Sequence, residues 1–104
     1  MLGIGTWRFD VDTYLFHGPA TMELRYERGE YRMLIYVRGL RHPLDYRIIR
    51  SERDGETLHL VWNSSLVPRS REISGDFTFA KDRCNGVVRI PVYGKLILRD
   101  GKRI

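Results

Sequence analysis

Residues 44–63 read LDYRIIRSERDGETLHLVWN, and this stretch decides the fold. Leu58, Leu60 and Trp62 alternate with Thr57, His59 and Val61. A period of two marks a strand with one buried face, because successive side chains point to opposite sides of a sheet. Asp54-Gly55 splits LDYRIIRSE from ETLHLVWN. An Asp-Gly pair between two such runs signals a tight hairpin, since a type I′ turn needs positive φ at its central residues.

The same grammar recurs on both sides. Trp7, Phe9 and Val11 alternate with Arg8, Asp10 and Asp12. Met22, Leu24 and Tyr26 alternate with Glu23, Arg25 and Glu27. Ile73, Gly75, Phe77 and Phe79 alternate with Ser74, Asp76 and Thr78. Arg28-Gly29 and Asn85-Gly86 are expected to be further hairpin turns, and Asp100-Gly101 is a fourth such pair. Alanine, the best helix former, occurs only at Ala20 and Ala80, and no window keeps a helical period. Pro91 cannot donate to a ladder, so a break or bulge is expected there.

Strands are expected near 4–15, 20–28, 31–38, 44–52, 56–63, 71–82, 87–93 and 95–99. The whole chain, residues 1–104, reads as a single all-β domain. Its architecture is an antiparallel up-and-down meander of seven or eight strands that closes into a barrel. Closure removes the exposed edges that an open sheet would present. The bulky inward rows predict a packed or nearly packed interior rather than a roomy pocket.

Composition narrows the function classes. A hydrophobic fraction of 42% excludes a disordered tail. The single Cys84 excludes an internal disulfide and fits a reducing compartment. It stands beside Asn85-Gly86, so it is expected to be an incidental exposed thiol at a hairpin tip. No signal-like segment or apolar run of membrane-spanning length is present, which predicts a soluble cytoplasmic protein without membrane association. The formal net charge is +5, carried almost wholly by arginine. Arginine suits bidentate contacts to phosphate and carboxylate.

No residue pattern demands catalysis. His17, His42 and His59 form no zinc-like pair, so neither a metal nor another cofactor is implied. Arg32, Tyr36 and Arg38 share a strand face, with Arg41 and Arg47 close behind. Arginines interleaved with tyrosine are a means by which small barrels hold single-stranded nucleic acid. Both faces of this strand are fairly apolar, which equally allows a homodimer through strands 31–38 and 44–50.

Gly5-Thr6-Trp7 opens the first strand as Gly-x-Trp, and a basic residue lies near the last strand. In this the chain resembles the lipocalin and calycin superfamily of up-and-down barrels. The resemblance implies that Trp7 closes one end of the barrel and packs against an arginine, here Arg99 or Arg103. It also implies an interior that takes a small apolar ligand. The candidate ligand contacts are Trp7, Tyr26, His59, Trp62 and Phe77.

The favoured reading is therefore a non-catalytic lipocalin-like barrel that binds a small apolar molecule or a protein partner. A nucleic-acid-binding barrel using Arg32, Tyr36, Arg38, Arg41 and Arg47 is the alternative. An isomerase or hydrolase built on His59 and a carboxylate comes third.

Overall fold

A computed structural model describes residues 1–12, 17–38, 41–64, 72–91 and 94–104. Eight strands follow one another along the chain: β1 (Gly5–Asp12), β2 (His17–Glu27), β3 (Glu30–Val37), β4 (Leu44–Asp54), β5 (Thr57–Asn63), β6 (Glu72–Ala80), β7 (Arg83–Ile90) and β8 (Gly94–Arg103). Each pairs antiparallel with its sequence neighbour, and β8 returns to β1, so the meander closes into a barrel.

The two ends of the barrel differ. At one end the hairpins β2–β3, β4–β5 and β6–β7 turn in two residues each, and residues 2–4 lead into β1. At the other end lie the longer connections between β1 and β2, β3 and β4, β5 and β6, and β7 and β8. We call these the turn end and the loop end.

The turn residues explain themselves. Arg28 (φ 52°) and Gly29 (φ 82°) are both left-handed, as a type I′ turn requires. Gly55 (φ 61°) supplies positive φ at the first central position of the β4–β5 turn. The β6–β7 turn corrects the sequence reading. It falls at Lys81-Asp82, with Lys81 at φ 54°, and not at Asn85-Gly86.

Asn85-Gly86 lies inside β7, where Gly86 faces Phe77. A Cβ on Gly86 would stand 2.7 Å from the Phe77 ring, so this glycine makes room for an aromatic side chain instead of turning the chain. Asp100-Gly101 is likewise inside a strand. The β7–β8 register shifts between Cys84 and Gly86, Asp100 takes φ 53°, and Asn85 Oδ1 accepts its N–H at 3.0 Å. β7 therefore starts earlier and β8 ends later than their spacing predicts. Pro91 falls just past the end of β7, as its missing N–H requires. Pro19 lies inside β2 opposite Asp10 of β1 and beyond the last β2–β3 pair, Ala20 with Val37.

Inward rows build one core. Trp7, Phe9, Leu24, Met33, Leu58, Leu60 and Phe77 are all buried. Each large side chain removed from water contributes about 1.5–3 kcal/mol. Close approach is general here: a Cβ on Gly101 would meet the Phe9 ring at 2.3 Å, and one on Gly75 would meet Phe77 at 2.7 Å.

Two seams are short. Among the described residues β1 and β8 share two register pairs, Trp7 with Arg103 and Arg8 with Lys102. β3 and β4 pair only over Arg32–Ile35 and Leu44–Arg47. The remainder of β4 is bulged after Ile48 and carries Arg50, Glu52, Arg53 and Asp54. Charges and a bulge on an incompletely paired strand discourage pairing with another chain.

Candidate functional site

The turn end is plugged. Trp7 is fully buried, and its Nε1 donates to the Gly3 carbonyl at 2.9 Å. Its ring stands 5.0 Å from that of Phe79, centroid to centroid. The Arg103 guanidinium lies 4.3 Å from the Trp7 ring centroid and donates to the Ile4 carbonyl at 2.7 Å. Asp82 forms an ion pair with the same guanidinium, its Oδ1 3.3 Å from Nε. Of Arg99 and Arg103, the arginine that packs on Trp7 is Arg103, and it lies within β8.

Gly5 completes this end. A Cβ there would stand 2.3 Å from Arg103 Nη1, at a backbone φ of 137°. The glycine of Gly-x-Trp is needed because the arginine passes over it. Tyr31 adds a further tie by donating to the Leu2 carbonyl at 2.9 Å.

Cys84 belongs to this buried end, contrary to the exposed hairpin thiol expected from sequence. It is fully buried opposite Gly101, and burial pushes its thiol pKa up to about 12. The misplacement follows from the shifted hairpin, which moves Cys84 from a turn into an inward strand position.

Toward the loop end the interior changes character. Ala20, Ile35, Tyr46, Ile90 and Leu96 pack on the core but are only partly buried. Trp62 lies among them, with its ring 6.1 Å from that of Tyr46. The Tyr46 hydroxyl shares a 3.0 Å hydrogen bond with buried Ser64. An apolar wall with one polar pair is the composition of a small-molecule site.

The five interior candidates therefore separate. Trp62 faces the loop-end interior. Phe77 is packed in the barrel's middle against Gly75 and Gly86. Trp7 is sealed at the opposite end. Tyr26 is 40% exposed and meets Tyr31 edge-on at 5.1 Å. His59 stands on the outer wall, where its Nδ1 hydrogen-bonds Asp76, which also accepts from Arg89 at 2.6 Å. These contacts hold the Asp76 carboxyl below the usual carboxylate range, the His59 hydrogen bond first, against the opposing effect of burial. The pair stands on the outer wall between β5 and β6, where His59 and Asp76 are register partners.

The arginine-rich face is a charge ladder. Arg32 grips Asp45 with two hydrogen bonds of 2.8 and 2.6 Å. Arg47 meets Glu30 at 3.2 Å, Arg25 meets Glu23 at 2.9 Å, and Arg50 meets Glu72 at 2.9 Å. These arginines already have carboxylates. Arg38 and Arg41 are exposed and make no ion pair among the described residues. Tyr36 is 41% exposed and donates to Glu23 at 3.3 Å.

A neighbouring part of the wall was not legible in the sequence. Strand register aligns Lys102, Arg8, Thr21 and Tyr36 in one row across β8, β1, β2 and β3. An open groove of about 380 Å³ follows this row, lined by Arg8, Thr21, Tyr36, Arg38 and Ile104 among others. Only the barrel closure brings Lys102 beside Arg8. Among the described residues no cluster of His, Cys, Asp and Glu could hold a metal ion. His17 has no described side chain, and His42 is exposed.

Fold and wall together define a small closed antiparallel barrel with one plugged end. The chain is similar to a solved structure with the same kind of fold, the crystal structure of secretory abundant heat soluble protein 4 from Ramazzottius varieornatus. The TM-score is 0.64 at 17% identity, over 100% of this chain and 98% of that one. No family model and no curated protein matches the sequence.

Proposed function

We propose that the protein is a non-catalytic, lipocalin-like binding barrel that holds a small apolar molecule at its loop end. One observation carries the reading. Trp7 and Arg103 close the turn end, whereas Ala20, Ile35, Tyr46, Ile90 and Leu96, packed on the core toward the loop end, are only partly buried. A ligand entering there meets Trp62, Tyr46 and Ile35, with the Tyr46–Ser64 pair as its polar contact. Burial of apolar surface supplies the affinity and the polar pair orients the molecule. The Trp7–Arg103 arrangement supports the calycin-like assignment, since it meets the expectation drawn from Gly-x-Trp.

Native mass spectrometry of freshly purified protein tests the proposal, together with titration by the lipophilic dye Nile red. A captured adduct, or saturable dye uptake weakened several-fold by Trp62→Ala with the strand content unchanged, is the expected result. A clean chain mass combined with no saturable uptake overturns it.

A further inference from the structure

Beyond that interior site, we propose that the outer groove along Lys102, Arg8, Thr21 and Tyr36 binds single-stranded nucleic acid. The argument starts from which cations remain available. Arg25, Arg32, Arg47, Arg50, Arg89 and Arg103 each contact a carboxylate. Arg8, Arg38 and Lys102, like Arg28, Arg41, Arg83 and Arg99, are exposed and make no ion pair among the described residues, but register places the first three along one stretch of wall. Arg8 and Arg38 line one groove together with Tyr36, and Lys102 stands beside Arg8 across the β1–β8 seam.

The geometry suits a strand of nucleotides. Adjacent β-strands are about 4.8 Å apart, so the four-residue row spans about 14 Å of wall. Lys102 and Arg8 stand at one end of the row, Tyr36 stands at the other, and Arg38 lies two residues further along the chain on the same side. The Tyr36 ring is held by its hydrogen bond to Glu23, and Glu23 is itself neutralised by Arg25. A tethered ring with an exposed face is a stacking platform for a base, and cations on both sides contact the flanking phosphates. Two acids stand beside the row: Glu23, which holds Tyr36 and is engaged by Arg25, and exposed Asp10, which follows Arg8 on the same face opposite Pro19 of the groove lining. The groove is open, which suits a passing strand better than an enclosed ligand.

The register also moves the interface. The arginines that alternate with Tyr36 in sequence include Arg32, but Arg32 is held by Asp45. Arg8, far from Tyr36 in sequence, is its partner across β2.

The test is fluorescence anisotropy of the whole protein with a labelled oligothymidylate over a series of salt concentrations. Arg8→Ala, Arg38→Ala and Tyr36→Ala are each expected to weaken binding about five- to tenfold, in line with one lost phosphate contact or one lost stack. The two arginine variants should also lower the slope of log affinity against log salt by about one. Arg32→Ala and Arg47→Ala serve as controls and should change affinity less than twofold. Absence of binding at low salt overturns the proposal. So does equal weakening by the control variants, or equal competition by polyglutamate at matched charge, which would make the groove a site for acidic polypeptide.

Discussion

Arg103 of the last strand covers the ring of Trp7 of the first, 4.3 Å from its centroid, and reaches past it to the Ile4 carbonyl. One side chain thus joins the barrel's closing seam, its buried aromatic plug and the chain leading into β1. Among the described residues the seam has two register pairs, the Ile104 N–H donates to the Thr6 carbonyl at 3.0 Å beside them, and this side chain adds a further tie. A cation over an indole and a charged donor to a carbonyl are each worth about 1–2 kcal/mol, before allowance for partial exposure.

Arg103→Ala should therefore lower stability by about 2 kcal/mol, read as a shifted urea midpoint. Arg103→Lys should recover less than half of the loss, because an ammonium cannot both cover the ring and reach the carbonyl. A midpoint unchanged in the alanine variant would show that the seam holds without it.

Gly101→Ala tests the packing of Phe9. The added methyl would meet the Phe9 ring at 2.3 Å and the Cys84 carbonyl at 2.8 Å. Backbone on one side prevents relief by a simple ring movement. Destabilisation of about 1–3 kcal/mol or more is expected on thermal unfolding. Gly29→Ala is the contrasting case, where no atom lies near and only the φ of 82° resists.

Arg28→Asn should stabilise. Arg28 occupies φ 52°, where a long side chain is disfavoured and asparagine is tolerated. The substitution creates the Asn-Gly pair preferred in this turn. A gain of about 0.5–1 kcal/mol is expected, since the left-handed conformation costs an ordinary residue about 1–2 kcal/mol. A lower melting temperature would contradict this account of the turn.

Cys84 should resist alkylation by iodoacetamide at neutral pH until the protein unfolds. Its pKa is raised to about 12 by burial, from an ordinary 9.0. In the folded protein the thiol stays neutral, whereas in the unfolded chain it ionises above pH 9. Stability should accordingly fall as pH rises from about 9 toward about 12. Cys84→Ala should flatten that fall in urea midpoints measured across the range.

Asp76 works in the opposite direction. Its carboxyl is held below its ordinary 3.8, chiefly by the hydrogen bond from His59 and then by Arg89, despite partial burial. The stability it contributes is present above that ordinary value and is lost as pH falls through the depressed one. Asp76→Asn should thus be less stable than the parent at pH 7, with the gap narrowing below pH 3.8. A gap independent of pH would mean that the carboxylate's charge is not what matters.

The class of fold was legible because period-two patterning survives in a single sequence. Of the glycine pairs read as turns, Arg28-Gly29 is one, the β4–β5 turn falls one residue later at Gly55-Glu56, and Asp100-Gly101 lies inside β8. Leu58, Leu60 and Trp62 all face inward as their spacing requires. Failure came where a glycine did another job. Asn85-Gly86 has the composition of a turn, yet Gly86 yields space to Phe77, a partner across the sheet that no local pattern reveals. Cys84 was displaced with it.

The outer wall was legible in composition but not in pairing. That Arg32 would be held by Asp45, and that Arg8 would remain free beside Tyr36, depends on register between strands far apart in the chain. His59 shows the same limit, since its outward direction could be read while its contact with Asp76 could not.

The closing contact has a kinetic side. Arg103 and Ile4 are 99 residues apart, and apart from the β1–β8 closure every strand pairing joins strands consecutive in the chain. Hairpins that form locally lose little chain entropy, but closure must bring the two ends of the meander together. On a ribosome the first strand is made early, and its partner is the 10-residue β8 at the very end of the sheet. Until that segment emerges, β1 keeps a bare edge and Trp7 lacks its cover. Closure by β8 is then expected to be the slowest folding step, and the interval before it is when β1 is most open to misassociation.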